Sequence, residues 1–546
     1  MIDKDILSAF PDPHTPKDHQ LPVLRKIKKF LDGRKKFLIL SAPTGSGKSF
    51  FSKTISNITN RCSENYRELV KNYEVYTTDK HGNFYYKDTI EKEKPYGAFA
   101  LTISKNLQDQ YKSFFEEDTD VLKGKINYQC AVDPTKDVEI APCVIVDKIK
   151  KDCWKKCICP YYESRNDLLV SNFGVLNYSM FLALPEELRK REVLICDEAA
   201  ELEDEIVKRF SLEVKYDRLA SLGVIINKLA TDIPQRAFEW VSTLERELKI
   251  QLEGLLEKMK KKDLNEIQRN KMRSISNLHH SVETVLGHWG DCKYVIEKSG
   301  EKVIFSPLRV DKLSNHIFDY GEKIVLMSAT IIDHINFAKS LGIDENDYEH
   351  IEISSCFEAK KAPIYTFSKY KLNKNNLNVL LQKVFDIVGE IIKMHPDQKG
   401  IIHTHSGAIA TAVKSFFVDK TDRMLYWELG KSNQDIIKEH EISNEPTILV
   451  SPSLTHGVDL KDDLARFQIV LKLPYPPLGS KRIKTLFDLD KKWYTNKMLS
   501  NLIQSCGRGV RTEEDYCDTY ILDGNIKRVL VENKNILPEH FKERFV

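Results

Sequence analysis

The sequence contains no uninterrupted apolar stretch of the length needed to cross a membrane. Its first residues, Met1 to Asp5, include acids and lack the basic and then apolar segments of a signal peptide. The net charge is only +3, so the chain has no general polyanion-binding signature, and a nucleic-acid partner requires local basic patches. We therefore expect a cytoplasmic protein without membrane association. A chain of 546 residues is too long for one core and should form three or four domains.

The eleven cysteines include no Cys-x-x-Cys pair, which disfavours a zinc ribbon. Five of them nevertheless fall in one short polar span: Cys130, Cys143, Cys153, Cys157 and Cys159. Cytoplasmic thiols stay reduced, so this clustering favours metal over disulfides, and four thiolates suit either zinc or an iron–sulfur cluster. Because Cys157 and Cys159 are close together for two ligands of one cluster, we predict ligation by Cys130, Cys143, Cys153 and Cys159, with Cys157 as the alternative.

A glycine-rich segment follows the apolar run Phe37–Leu40 and precedes a predicted helix, 50–60. This arrangement, in which a strand is followed by a glycine-rich turn, Lys-Ser and a helix, binds nucleotide phosphates through backbone N–H groups and the helix N-terminus. Lys48 is predicted to neutralise phosphate charge and Ser49 to ligate Mg²⁺. Ala42 occupies a position where this pattern usually has Gly. The predicted nucleotide-binding residues are Pro43, Thr44, Gly45, Ser46, Gly47, Lys48 and Ser49.

Two polar positions near the predicted strands have two interpretations each. Gln20 begins a predicted amphipathic helix, 20–31, and is either an adenine-recognising residue or a solvated surface side chain. The strand 98–102 leads into Ser104-Lys105-Asn106, which suits binding of a phosphate backbone but equally suits a plain strand-to-helix turn with a polar cap.

Acidic and hydroxyl residues follow two further apolar runs. Asp197 and Glu198 come directly after Val193–Cys196. Because the chain also has a phosphate loop, Asp197 is predicted to ligate Mg²⁺ and Glu198 to orient the attacking water. Ser328-Ala329-Thr330 follows the predicted strand 324–327 and suits a relay from the γ-phosphate. Between them, residues 202–315 read as a charged helical insertion whose stripe of Leu244, Leu248, Leu252, Leu255 and Met259 is predicted to pack against other helices.

The last third of the chain predicts a second parallel α/β unit, beginning near Ile351, without a phosphate loop of its own. Its predicted strands are 364–366, 400–403, 447–450, 467–471 and 520–522. Gly457 and Asp459 follow one of these strands and are predicted to take part in nucleotide binding. Gln504, Arg508 and Arg511 follow another apolar stretch, and the two arginines would share a helix face and clamp a transferring phosphoryl group.

In order and spacing, these motifs resemble the XPD/DinG family of superfamily 2 iron–sulfur DNA helicases. The resemblance spans nearly the whole chain, and the cysteine cluster between the phosphate loop and the Asp-Glu pair is its most specific feature. It implies an α/β fold of two RecA-like parallel-sheet domains, with an iron–sulfur domain and a helical arch inserted in the first. The implied ranges are 1–115, 171–203 and 317–345 for the first RecA-like domain, 116–170 for the iron–sulfur domain, 204–316 for the arch and 346–546 for the second RecA-like domain.

The resemblance also implies function. The cofactors would be ATP, Mg²⁺ and a [4Fe–4S] cluster, and the partners single-stranded DNA and forked or 5′-tailed duplex DNA, bound by a monomer that moves 5′→3′. ATP would lie between the two sheets, with Lys48 and Asp197 on one side and Arg508 and Arg511 on the other.

One departure keeps other functions open. The family's Asp-Glu motif normally ends in His, and Ala200 stands there instead. A DNA-stimulated ATPase that translocates with little or no unwinding is therefore an alternative. A zinc-stabilised nucleic-acid remodelling protein is another, distinguished by a colourless rather than a brown preparation.

Overall fold

The computed structural model describes residues 2–76, 93–144, 149, 152–153, 158–260, 265–355, 357–367, 369–373, 376–426, 433–452, 462–507, 509–510 and 515–546. The strands are β1 (Phe37–Ser41), β2 (Ala98–Thr102), β3 (Asp120–Leu122), β4 (Phe173–Asn177), β5 (Arg191–Asp197), β6 (Leu212–Lys215), β7 (Tyr294–Lys298), β8 (Lys302–Pro307), β9 (Gly321–Ser328), β10 (Tyr348–Glu352), β11 (Ile364–Thr366), β12 (Gly400–His403), β13 (Met424–Tyr426), β14 (Ile448–Ser451), β15 (Phe467–Val470) and β16 (Asp518–Ile521).

The described α-helices are α1 (Ile2–Ala9), α2 (Gln20–Leu31), α3 (Lys48–Ile58), α4 (Glu64–Tyr76), α5 (Lys105–Phe114), α6 (Pro160–Val170), α7 (Tyr178–Ala183), α8 (Leu202–Arg209), α9 (Tyr216–Ser221), α10 (Pro234–Lys260), α11 (Glu266–Gly287), α12 (Asn315–Phe318), α13 (His334–Ser340), α14 (Leu377–Met394), α15 (Gly407–Phe417), α16 (Asn433–Ile442), α17 (Lys481–Leu489), α18 (Lys491–Cys506), α19 (Ile526–Glu532) and α20 (Glu539–Lys542).

The first sheet has seven parallel strands in the order β10-β1-β9-β5-β2-β4-β3. Every residue of β1 and β2 is buried because helices cover both faces, which explains their continuous apolar runs. On one face Phe30, Phe51 and Tyr111 belong to the core, and on the other Leu168 and Phe181 do. The strand order brings the carboxyl ends of β1, β9 and β5 side by side, where polar residues follow each strand.

The second sheet has six parallel strands in the order β11-β16-β15-β12-β14-β13. The five strands predicted from the sequence are present, three of them with ends shifted by one or two residues. The sixth strand, β13, has three residues and was not predicted from the sequence. The fold is therefore α/β with two RecA-like parallel sheets.

The boundary predicted between the two sheets is wrong by several residues. Strand β10 lies in the range assigned to the second domain, yet it pairs in parallel with β1 at the edge of the first sheet, Phe37 opposite Tyr348. The backbone N–H of Phe37 also donates to the Asp347 carbonyl over 3.1 Å. The chain therefore completes the first sheet before it crosses to the second.

The insertion between β5 and β9 is only partly helical. Its long helices α10 and α11 pack together through the predicted leucine stripe, with Leu244 and Leu248 buried near Ile275 and Val282. It also contains an antiparallel sheet in the order β6-β8-β7, which the expectation of a helical arch did not include. Strand β6 alternates buried and exposed residues and β8 alternates buried and half-buried ones, and their short charged sequences hid this period of two.

Among the described residues, an ion-paired contact joins the two insertions. Arg273 on α11 lies 3.1 Å from Asp137 and 3.3 Å from Glu139, both in the segment that carries the clustered cysteines. Within the described ranges, no helix is long and apolar enough to span a membrane.

Candidate active site

The phosphate loop connects β1 to α3 at the carboxyl edge of the first sheet. Gly45 and Gly47 have φ angles of 79° and 94°, a left-handed conformation that favours glycine. Helix α3 begins at Lys48, two residues before the predicted start, because Gly47 serves as its N-cap. Lys48 and Ser49 therefore occupy the first turn, where unpaired backbone N–H groups and the helix dipole favour an anion.

Gln20 lies against this loop rather than on an open surface. It is buried, its Nε2 donates to the Ser46 carbonyl over 3.2 Å, and its Oε1 accepts from the backbone N–H of Lys17 over 2.9 Å. The solvated-surface interpretation of Gln20 is therefore wrong. Its position beside the loop is compatible with the predicted contact to a nucleotide base.

The acid pair ends β5 and lies next to the loop. Asp197 is buried, and burial together with the neighbouring Glu198 raises the pKa of its carboxyl to about 6, against the opposing influence of Lys48. Lys48 itself donates from Nζ to the Ala42 carbonyl over 3.3 Å. A buried carboxylate next to the first turn of α3 is an arrangement that suits a divalent cation between Asp197 and Ser49.

Tyr111 is a residue of this site that the sequence analysis missed. Its hydroxyl donates to Asp197 Oδ2 over 3.0 Å and lies 3.0 Å from Ser52 Oγ on α3. Burial and the nearby Asp197 raise the pKa of Tyr111 well above its ordinary value, so the hydroxyl stays protonated and can donate. Only its position on the buried face of α5 could have indicated this role.

Glu198 is linked to the residues that follow β9. Ser328 Oγ donates to Glu198 Oε2 over 3.1 Å and lies 3.3 Å from Thr330 Oγ1. Glu198 has a φ of 51°, an uncommon conformation for a residue other than glycine that is typical of functional sites. The two motifs therefore form one hydrogen-bonded chain at the edge of the sheet.

A cleft of about 960 Å³ opens at these residues and reaches the second sheet's domain. Lys48, Asp197 and Glu198 line one side, and Gln504 and Lys438 line the other. Gln504 Oε1 at this cleft and Ser46 Oγ within the phosphate loop are buried and have no hydrogen-bond partner among the described residues. Such groups require a polar ligand or water, and a triphosphate would supply one.

Several predicted residues of the second domain lie outside the described residues: Gly457, Asp459, Arg508 and Arg511. Helix α18 ends at Cys506 with Gly507 as its C-cap. Gln504 is therefore the member of this motif whose position beside Glu198 is seen directly.

The turn after β2 retains both interpretations. Ser104 caps α5 by accepting from the Leu107 N–H over 3.3 Å, as expected for a structural turn. Lys105 is exposed beside it and donates to Asn127 Oδ1 over 2.7 Å, which places a cation on the surface near the cysteine-containing segment.

Four of the clustered cysteines lie near one another. Cys130 and Cys153 are buried, and Cys143 and Cys159 are partly buried. Burial and the proximity of Cys159, Cys153 and Cys130 raise the pKa of the Cys143 thiol. Cys157, with its neighbours Trp154, Lys155 and Lys156, lies outside the described residues. A set of four converging thiols fits the ligand requirement of a [4Fe–4S] cluster.

The tyrosines of this segment pack against the protein. Tyr161 is buried and meets Tyr128 and Tyr162 edge-on, with ring centroids 5.6 and 5.3 Å away. The Arg165 guanidinium lies 4.9 Å from the Tyr162 ring centroid. The Tyr161 ring therefore belongs to the core and is not available to stack on a nucleic-acid base.

The comparisons agree with this geometry. The DEAD_2 family model matches residues 52–219, and the helicase C-terminal domain model matches residues 388–544. The ATP-dependent DNA helicase XPD of Sulfolobus acidocaldarius is 24% identical over 91% of this chain and 94% of its own length. The ATP-dependent DNA helicase CHL1 of Kluyveromyces lactis is 20% identical over 69% of this chain and 58% of its own length.

Solved structures show the same fold. An XPD helicase structure superimposes with a TM-score of 0.58 at 16% identity, covering 97% of this chain and 99% of that one. The S. tokodaii Xpd4 structure superimposes with a TM-score of 0.55 at 13% identity, covering 97% of this chain and 100% of that one.

Two RecA-like sheets that enclose a phosphate-loop cleft define the class: a two-domain nucleotide hydrolase of the superfamily 2 helicase type. Within that class, the two matched domain models and the relatives that extend over nearly the whole chain identify the family. The chain belongs to the XPD/DinG family.

Proposed function

We propose that this protein is an ATP-dependent DNA helicase that moves 5′→3′ along single-stranded DNA and separates forked or 5′-tailed duplexes as a cytoplasmic monomer. The observation that carries the proposal is the cleft in which Lys48, Asp197 and Glu198 of the first domain face Gln504 of the second. A site shared by two domains allows hydrolysis to change the distance between them, and such a change drives movement along a strand.

Each residue of the cleft has a separate proposed role in ATP hydrolysis. Lys48 and the N–H groups of the first turn of α3 would bind the β- and γ-phosphates. Mg²⁺, held by Ser49 and Asp197, would neutralise charge on the phosphates. Tyr111 holds the Asp197 carboxylate in place, and Ser328 orients Glu198. Glu198 would then position the attacking water and accept its proton. Gln504, with Arg508 and Arg511, would contact the transferring phosphoryl group from the second domain.

Cys130, Cys143, Cys153 and Cys159 would hold a [4Fe–4S] cluster, with Cys157 as the alternative ligand. The support is their mutual proximity in a segment whose remaining structure is mostly short 3₁₀ helices at Lys125–Asn127, Val138–Ile140 and Pro142–Val144. Such a segment buries little apolar surface, so a bound cluster would supply cohesion that its own core cannot.

The experiment that tests the nucleotide site is ATP turnover with and without single-stranded DNA, comparing the wild type with Lys48→Ala. Loss of the ammonium removes the main counter-charge to the phosphates, so we expect turnover to fall at least about a hundredfold. DNA binding, measured by fluorescence anisotropy, should remain within about threefold because Lys48 lies in the cleft. Retained turnover in Lys48→Ala would refute the assignment of the loop.

A second function, a DNA-stimulated translocase with little unwinding, is favoured by one observation. Ala200 has no side-chain polar group with which to transmit a change from the acid pair to the rest of the protein. The translocase predicts DNA-stimulated ATP turnover without separation of any duplex.

A further inference from the structure

A lysine from the second domain binds the turn that follows the acid pair. Lys497 on α18 places its Nζ 2.7 Å from Asp204 Oδ2 and 3.5 Å from Glu201 Oε2. The same Nζ donates to the backbone carbonyl of Ala200 over 3.3 Å. These partners all lie within seven residues of Asp197, so one side chain joins the second domain to the segment that carries the catalytic acids.

The charges around Lys497 make this contact persistent. Its side chain is only 14% exposed and that of Glu201 only 12%. Burial alone would lower the pKa of Lys497, but Asp204, Glu201 and Glu203 raise it above its ordinary value. The ammonium therefore stays charged, and breaking the contact would separate it from Glu201, which is largely buried, and from Asp204, which is 46% exposed.

Helix α18 connects this contact to the nucleotide cleft. Lys497 and Gln504 are seven residues apart, so they share one face of the helix and lie about 10 Å apart along its axis. Gln504 lines the cleft together with Thr44 and Glu198. A shift of the turn Ala199–Glu201 would thus reach a side chain beside Glu198 through this one helix.

The surroundings of Ala200 explain why a long side chain, Lys497, makes the contact with this residue. A small cavity of about 70 Å³ lies there, lined by Ala200, Thr330, Asn496 and Lys497. The methyl group of Ala200 cannot hydrogen-bond across it, so the backbone carbonyl is the polar atom that this residue offers. Lys497 reaches that carbonyl from the opposite side of the domain boundary.

We propose that Lys497 is a positioning residue: it holds the Ala200 turn (Ala199–Glu201) in a fixed position relative to α18 and so couples the ATP site to the second domain. The proposal rests on the helicase function proposed above. Without Lys497, closure of the domains would no longer bring Gln504 reproducibly to Glu198, so DNA bound to the second domain would lose its influence on hydrolysis.

The chain provides matched controls at the same domain boundary. Lys492, also on α18, pairs with Asp333 over 2.7 Å but touches neither Ala200 nor its neighbours. A general loss of attraction between the domains should therefore affect Lys492→Met and Lys497→Met alike. Lys497→Arg keeps the charge and should restore the contact.

The test is steady-state ATP turnover by the full chain with and without single-stranded DNA. For Lys497→Met we expect the DNA-stimulated kcat to fall about tenfold, a typical coupling between two sites. Its DNA-free turnover and KM for ATP should stay within about twofold, because Lys497 is not one of the described residues that line the nucleotide cleft. Lys492→Met should resemble the wild type, and Lys497→Arg should recover most of the stimulation.

Undiminished stimulation in Lys497→Met, or an equal loss in Lys492→Met, would overturn the proposal. If a thermal unfolding measurement shows that Lys497→Met is not folded, Asp204→Asn is the second variant. It removes the nearest partner of Lys497, which is partly exposed, and should give a smaller loss of DNA-stimulated turnover. Unchanged stimulation in that variant would also overturn it. A wild type without any DNA stimulation would instead refute the proposed function, and this inference with it.

Discussion

At the scale of single residues, Gly47 shows how closely the phosphate loop is constrained. Its φ of 94° is left-handed, and a Cβ added there would lie 2.1 Å from Gln20 Nε2. The loop conformation and the adjacent helix α2 therefore both exclude a side chain at this position. Gln20 is buried at the loop because the loop has no side chain there.

We predict that Gly47→Ala lowers nucleotide affinity at least about tenfold, because a left-handed alanine costs about 1–2 kcal/mol and Gln20 must also move. The measurement is equilibrium binding of a fluorescent ATP analogue. Gly254→Ala is the control, since Gly254 lies within α10 and a Cβ there meets nothing within 4 Å. That variant should bind nucleotide normally and be slightly more stable. Equal affinity in both variants would contradict the account of the loop.

At the scale of elements, the sequence correctly predicted the helices and strands whose formation depends on residues adjacent in the chain. Helix α2 and strands β2, β11 and β12 have the predicted bounds, because each is a continuous apolar or amphipathic stretch. The antiparallel sheet of the insertion was not predicted, since its pairing depends on strands far apart in the chain, β6 with β8. The assignment of β10 to the first sheet depends on its parallel pairing with β1, another contact over long sequence distance.

The same distinction applies to the site. The phosphate loop and the acid pair were recognisable because each motif is local in sequence. The roles of Tyr111 and Lys497 were not, because they arise only when α5 and α18 are packed against the acid-bearing turn. The solvated interpretation of Gln20 failed for the same reason.

The cysteine-containing segment is the element whose stability should depend on the proposed [4Fe–4S] cluster. For Cys143→Ser we predict loss of iron and of unwinding with part of the ATP turnover retained, because the phosphate loop and acid pair lie on the sheet outside this segment. The measurements are iron content, the visible absorption spectrum and ATP turnover of anaerobically purified protein. Cys292→Ser, in the other insertion, is the control and should keep its iron. Full iron content and unwinding in Cys143→Ser would remove Cys143 from the ligand set, and a colourless zinc-loaded wild type would refute the cluster.

At the scale of the whole molecule, paired charges hold the two domains together around the cleft. Arg482 of α17 lies 2.8 Å from Glu203, and the Trp493 indole N–H donates to the same carboxylate over 2.8 Å. Lys497 and Lys492 add contacts from α18 to Asp204 and Asp333. The first domain contributes the acids near its catalytic turns, and the second contributes the cations. On the proposed function, a change at the nucleotide would reach the domain boundary through these pairs.

We propose that ATP hydrolysis in this cleft drives directional movement on DNA. The most direct test is unwinding of duplexes that carry either a 5′ or a 3′ single-stranded tail, by anaerobically purified protein with ATP and Mg²⁺. We predict separation of the 5′-tailed duplex alone, and none by Lys48→Ala. Separation of only the 3′-tailed duplex, or ATP turnover stimulated by DNA with neither duplex separated, would contradict the claim.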